Sequence, residues 1–176
     1  WAYLALRAGG QEALDAAIAS GDWTGPAFVE AGDQLKRLID LAPFQDGFLA
    51  AAYNRDQAST MGNGKAAMEL MGQWAPGVQT AESESGTGIG EALGWFPFPA
   101  LDGGAGAATD VFGGADGYAV GKDAPAEAVD FLCYLSSEAV AERFAATNTG
   151  ILPATEAAVD GVTDSTLGEL LTKRAE

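Results

Sequence analysis

The chain has 176 residues, nearly half of them apolar, enough for one sizeable domain or two small lobes and too apolar for wholesale disorder. Its formal net charge of -16, from 25 acidic against 9 basic residues, sets up a field that repels nucleic acid and anionic membrane surfaces. Histidine is absent and Cys133 is the single cysteine, which removes Ser-His and Cys-His catalysis, His- and Cys-based metal sites and any internal disulfide.

The chain starts inside a helical pattern. Trp1, Leu4 and Ala5 share one face, and Gly9-Gly10 ends the segment. The expectation from this start is a longer precursor that has lost its beginning, with any targeting segment. A second short helix spans 11–19, and 22–25 is a turn in which Trp23 covers the start of the next helix. Pro26 opens that helix, with Phe28, Ala31, Leu35, Leu38, Ile39 and Ala42 at helical spacing and Pro43 closing it. Further helical segments are predicted over 47–53 and 56–61. No apolar run approaches the ~20 residues of a membrane span.

The stretch Gly64-Lys65-Ala66-Ala67-Met68-Glu69-Leu70-Met71-Gly72-Gln73-Trp74 organises the middle of the chain. A short apolar run bounded by glycines reads as a strand buried on both faces, although periodicity alone does not separate it from a buried helical turn. Trp74 then sits in a loop, held by Ala75-Pro76-Gly77, at the strand edge where open α/β sheets bind ligands. The alternative is a core residue capping the sheet, and the residues weigh the two equally. The polar tract 81–90 reads as a surface loop. A second strand is predicted over 92–99, with prolines that place it at an edge and with Trp95 packed in the core. A Gly- and Ala-rich loop spans 102–110. Residues 111–120 read as a strand, a glycine hinge and another strand. Asp123 and Pro125 open a helix whose apolar face carries Ala128, Phe131, Leu132 and Leu135, with Cys133 as a small buried hydrophobe. Ser136-Ser137-Glu138 starts another helix, which ends at 148–150. Residues 151–153 are extended, and a last helix lies within 162–174.

Two familiar patterns fail. A phosphate-binding loop ending at Gly64-Lys65 requires glycine where Ser59 stands and Ser or Thr where Ala66 stands. The Gly86-x-Gly88-x-Gly90 run has the wrong spacing for a dinucleotide loop and follows a polar tract. Acids such as Asp110 and Asp116 lack calcium-loop spacing and read as solvated. No cofactor is implied.

What survives suits a carbohydrate, which offers flat C–H faces to aromatic platforms and hydroxyl edges to hydrogen-bonding groups. Trp1, Trp74 and Trp95 are the platform candidates, with core packing preferred for Trp95. Asp116 and the main-chain amides at Gly113 and Gly114 are candidates for the hydroxyls, against the equal alternative of a plain hinge.

Five segments occur in an order and spacing that resemble the family 1 extracellular solute-binding proteins, the sugar-capturing subunits of bacterial ABC importers and relatives of maltose-binding protein. These are Gly64 to Met68, Gly72-Gln73-Trp74, Pro97-Phe98-Pro99, Gly113 to Tyr118 and Glu127 to Leu132. Gly150 to Pro153 also fits. The resemblance implies an α/β, periplasmic-binding-protein-like (type II) lobe, helix-rich with a small mixed sheet, most of the N-terminal lobe being missing. It implies that 1–110 forms the second lobe, 111–117 the hinge crossing, 118–150 a return to the first lobe and 151–176 a return to the second. It implies that Trp74 stacks on a sugar ring, that Gly113 and Gly114 lie beside the ligand, and, more weakly, that Trp1 falls near the cleft. The implied partners are a carbohydrate and the membrane permease of an ABC importer, in an extracellular or periplasmic setting with a lipid anchor on the precursor as one option. A fragment of this kind binds sugar weakly or not at all, and self-association through exposed apolar surface is a further expectation. The rival readings are a glycoside-processing enzyme, which lacks a distinctive carboxylate pair, and a binder of amino acids or peptides, for which Arg7 is the one basic group near a platform.

Overall fold

Gly10 sets the shape of the first helix. The computed structural model of the protein describes residues 1–114, 117–147 and 156–162. Within it α1 (Ala2–Ser20) is helical on both sides of Gly10, whose φ of 68° and ψ of -179° interrupt the helix where the sequence predicts its end. The left-handed φ is open to glycine without the Cβ penalty of other residues. The break frees main-chain carbonyls, and the distant 101–110 loop takes them up. Ala105 N–H donates to the Ala8 carbonyl at 3.1 Å and Gly106 N–H to the Arg7 carbonyl at 3.0 Å. That approach tolerates no side chain at 106, since a Cβ there would run into the carbonyl of Leu6.

The chain divides into two units. The first comprises Trp1–Phe48 and Trp95–Ala115, the second Leu49–Gly94 and Asp116–Glu176. In the first unit α1 packs on α2 (Pro26–Asp40), which begins at Pro26 as predicted and stops at Asp40, three residues short of Pro43. Ala5, Ala17, Phe28 and Ala31 form the core between them, with Leu4 and Leu14 against it. Trp23 meets Phe28 edge-on at 5.1 Å, covering the start of α2.

In the second unit α3 (Asp56–Gly62) packs on α4 (Ala75–Glu82). They come close at Gly62, where a Cβ would lie 3.0 Å from the Gln79 carbonyl carbon. The same unit contains α5 (Ala126–Leu135) and α6 (Glu138–Ala145), and α6 packs against a 3₁₀ segment at Glu156–Gly161. Among the described residues no helix is long and apolar enough to cross a membrane.

The helix-rich part of the expectation holds, but no β-strand occurs among the described residues. A strand needs a neighbour for its N–H and C=O groups, and several of those groups in the predicted strands pair elsewhere. At 64–74 the chain folds back on α3, with Lys65 N–H donating to the Thr60 carbonyl at 2.9 Å. Met68 and Leu70 are 71% and 61% exposed, not buried on two faces. At 92–99 the Phe98 and Pro99 carbonyls accept from the Arg7 guanidinium, and half-buried Trp95 lies in irregular chain. At 111–114 Phe112 N–H donates to the Tyr3 hydroxyl at 3.2 Å.

Smaller corrections follow the same logic. Residues 47–53 keep only a 3₁₀ turn at Phe48–Ala50. Ala75-Pro76-Gly77 is the first turn of α4 rather than a loop, a place that suits proline because its missing N–H has no helical partner there. Pro125, not Asp123, is the N-cap of α5, and Cys133 is exposed on that helix rather than buried. The predicted extension at 151–153 and the helix predicted within 162–174 lie outside the described residues, apart from Val162.

A candidate binding site around Trp74

Trp74 is the N-cap of α4 and stays 41% exposed. It is not the sheet-capping core residue that the sequence left open. Its indole borders a small concavity between α3 and α4. Ala58, Met71, Ala75 and Val78 give that concavity an apolar lining, and Tyr53, Asn54 and Gln57 give it polar groups. The enclosed volume is about 10 Å³, roughly the room one water needs. The site is therefore an open aromatic face with a polar border, not a closed pocket.

Gly72 sets the position of the indole. A Cβ at residue 72 would collide with the benzo portion of Trp74, at Cζ3, Cη2 and Cε3. Asn54 adopts a left-handed φ of 59°, a conformation that asparagine tolerates better than most residues.

Behind the concavity lies a polar network. Glu69 stands alone as an acid within an apolar run, and its carboxylate accepts from the side-chain amides of Gln57, at Oε2, and Gln79, at Oε1. Gln79 is 3% exposed. Its main-chain carbonyl lies close against Gly62 of α3. The cations of this part of the chain are taken up at the surface. Arg55 pairs with Asp56 at 2.9 Å and Lys65 with Glu84 at 3.3 Å. The Arg55 guanidinium, and then the Ala52 N–H, hold the Asp56 carboxyl below its ordinary range.

The other predicted site residues belong elsewhere or lie outside view. Trp1, Gly113 and Gly114 are in the first unit. Trp1 stacks on Phe28 at 5.7 Å and tilts against Trp23 at 6.5 Å, so part of its surface is spent on packing. Gly113 and Gly114 are exposed, with open space where a side chain would stand. Asp116 lies outside the described residues.

Arg7, the basic group that an acidic ligand would need, is fully buried. Its guanidinium donates to the carbonyls of Phe98, Pro99, Ala108 and Asp110 at 2.8–3.3 Å and lies over the rings of Tyr3 and Phe98. Among the described residues, no group of three or more His, Cys, Asp or Glu side chains gathers to hold a metal.

Gln57, Glu69 and Gln79 were not among the candidates that the sequence offered beside Trp74. The available signal was Glu69 itself: an acid inside an apolar run needs hydrogen-bond donors close by.

The family model described as Bacterial extracellular solute-binding protein matches residues 1–142. No curated protein matches the sequence.

Proposed function

This chain belongs to the bacterial extracellular solute-binding proteins, and from that membership we propose that the solute it captures is a sugar or oligosaccharide. The family comprises extracellular or periplasmic binding proteins that serve ABC transporters and are not enzymes, so the rival reading as a glycoside-processing enzyme falls away.

The observation that carries the sugar reading is the half-exposed indole of Trp74 beside the polar side chains of Tyr53, Asn54 and Gln57. An aromatic face takes the C–H side of a pyranose, and uncharged polar groups take its hydroxyls. An amino-acid or peptide ligand is disfavoured because a carboxylate needs a positive partner. Arg7 is enclosed by main-chain carbonyls, and among the described residues no lysine or arginine lines the concavity.

In the same proposal Gly113, Gly114 and Asp116 meet the ligand where 111–117 crosses between lobes, with Trp1 as a further contact. Residues 1–110 and 151–176 serve one lobe and 118–150 the other, and closure around the sugar presents the loaded protein to the permease. Self-association of this chain through exposed apolar side chains, among them Phe131 and Tyr134 on α5, belongs to the proposal as well.

The test is a titration of tryptophan fluorescence with a panel of neutral mono- and disaccharides, repeated on Trp74→Ala. Loss of the stacked ring should weaken binding by roughly ten- to a hundredfold, the worth of about 1.5–3 kcal/mol of buried aromatic contact. Equal affinity in Trp74→Ala would remove the indole from the site.

A further inference from the structure

We infer that Gln57 is the residue that hydrogen-bonds a ring hydroxyl at the Trp74 site, with Glu69 as its positioning residue, so that the site accepts an uncharged polyol ring and rejects its carboxylated or phosphorylated counterparts. This inference rests on the sugar reading above and adds to it a residue and a charge class.

An ionised Glu has acceptors and no donor, so each amide that reaches it must turn its Nε2 inward. Gln57 and Gln79 both do so. Gln79 is buried, and its amide holds one oxygen of Glu69. The other carboxylate oxygen then fixes the orientation of the Gln57 amide.

An amide committed through its nitrogen keeps a polarised carbonyl at its other pole. Among the described residues Gln57 Oε1 accepts no hydrogen bond, and Gln57 lines the concavity beside the exposed indole. That oxygen asks for a donor, and a sugar hydroxyl beside a stacked ring supplies one.

The charge class follows from the same groups. Among the described residues no lysine or arginine lines the concavity, and Glu69 accepts from Gln57 on its polar border. A uronate or sugar phosphate would bring a second negative charge toward Glu69 with no cation among those lining residues.

The experiment is calorimetry and tryptophan fluorescence on the full-length protein. Glucose, galactose, maltose and cellobiose are the neutral probes; glucuronate and glucose 6-phosphate are the anionic ones. Wild type should bind at least one neutral probe and hold the anionic probes at least ten times more weakly. Gln57→Met, which keeps length and volume but loses the carbonyl, should weaken the bound neutral probe about three- to tenfold while Trp74 fluorescence still responds. Glu69→Gln, which frees the Gln57 amide to flip, should weaken it by a smaller factor. Where Gln57→Met fails to fold, Gln57→Asn makes the same comparison with a retracted carbonyl.

Unchanged affinity in the Gln57 variant, or glucuronate binding as tightly as glucose, would overturn the inference and leave the sugar reading standing if Trp74→Ala still loses binding. Silence from wild type toward every neutral probe would overturn both.

Discussion

Arg7 in the first unit and Glu69 in the second are charged side chains held by neutral partners, and the two arrangements end differently. In the first unit the Arg7 cation is enclosed by four main-chain carbonyls and two aromatic rings. Those carbonyls belong to a loop with no strand partner, and Arg7 supplies the donors that a sheet would have supplied. In the second unit the Glu69 anion is held by two side-chain amides, and an amide has a second pole. A carbonyl that accepts from Arg7 passes nothing on, whereas a glutamine that donates to Glu69 still has an acceptor to offer. The first arrangement makes structure. The second sits beside an exposed indole, where we propose a site.

The largest break in this comparison is at Arg7. Arg7→Met should cost about 3–5 kcal/mol, because it strands the Phe98, Pro99, Ala108 and Asp110 carbonyls in a partly buried setting. In a chain of this size that lowers the midpoint of thermal unfolding by roughly 10 °C, measurable by calorimetry. Arg7→Lys should recover only part of the loss, since a single ammonium cannot span the fork of carbonyls that a guanidinium reaches.

A middling effect is expected at Gly72. Gly72→Ala places a methyl against the benzo ring of Trp74, and the indole must swing to admit it. The cost should be about 1–3 kcal/mol by denaturant midpoint. The near-ultraviolet dichroism should change along with it. Gly32→Ala, inside α2 with nothing within 4 Å of the added carbon, should instead raise stability by about 0.5–1 kcal/mol and leave the dichroism unchanged.

The smallest effects concern acid, and they compare the units directly. Thr24 holds Asp22 below the ordinary 3.8 through its hydroxyl first and its N–H second, and Arg55 leads Ala52 in doing the same for Asp56. A depressed carboxyl contributes stability that is fully present above its unfolded value. That stability fades as the pH falls through the lower folded value. Asp22→Asn and Asp56→Asn should therefore lower stability slightly at neutral pH, and the difference from wild type should vanish on acidification below 3.8. Both groups are exposed, so urea titrations at stepped pH should show shifts that are small and shrink with added salt.

Helices were legible where local signals agreed. Pro26 opens α2, Gly10 breaks α1, and the Ser136-Ser137-Glu138 break starts α6 with Ser137 as its N-cap. Trp74 was legible too, because an indole between a glycine-bounded run and a proline stands out, although its setting did not. Proline at 76 was read as loop when it also marks a helix start, and α4 was missed for that reason. The predicted strands rested on apolar runs alone, and an apolar run says nothing about whether a neighbour is there to pair with it.

The break at Gly10, the start of α2 at Pro26, the family, and the exclusion of histidine and disulfide chemistry follow from residue identity and spacing along the chain alone. That Arg7 meets carbonyls about a hundred residues away, and that Glu69 gathers one amide from α3 and another from α4, emerges once the chain is folded. Partners for a buried charge are chosen by proximity in space, which no local pattern encodes.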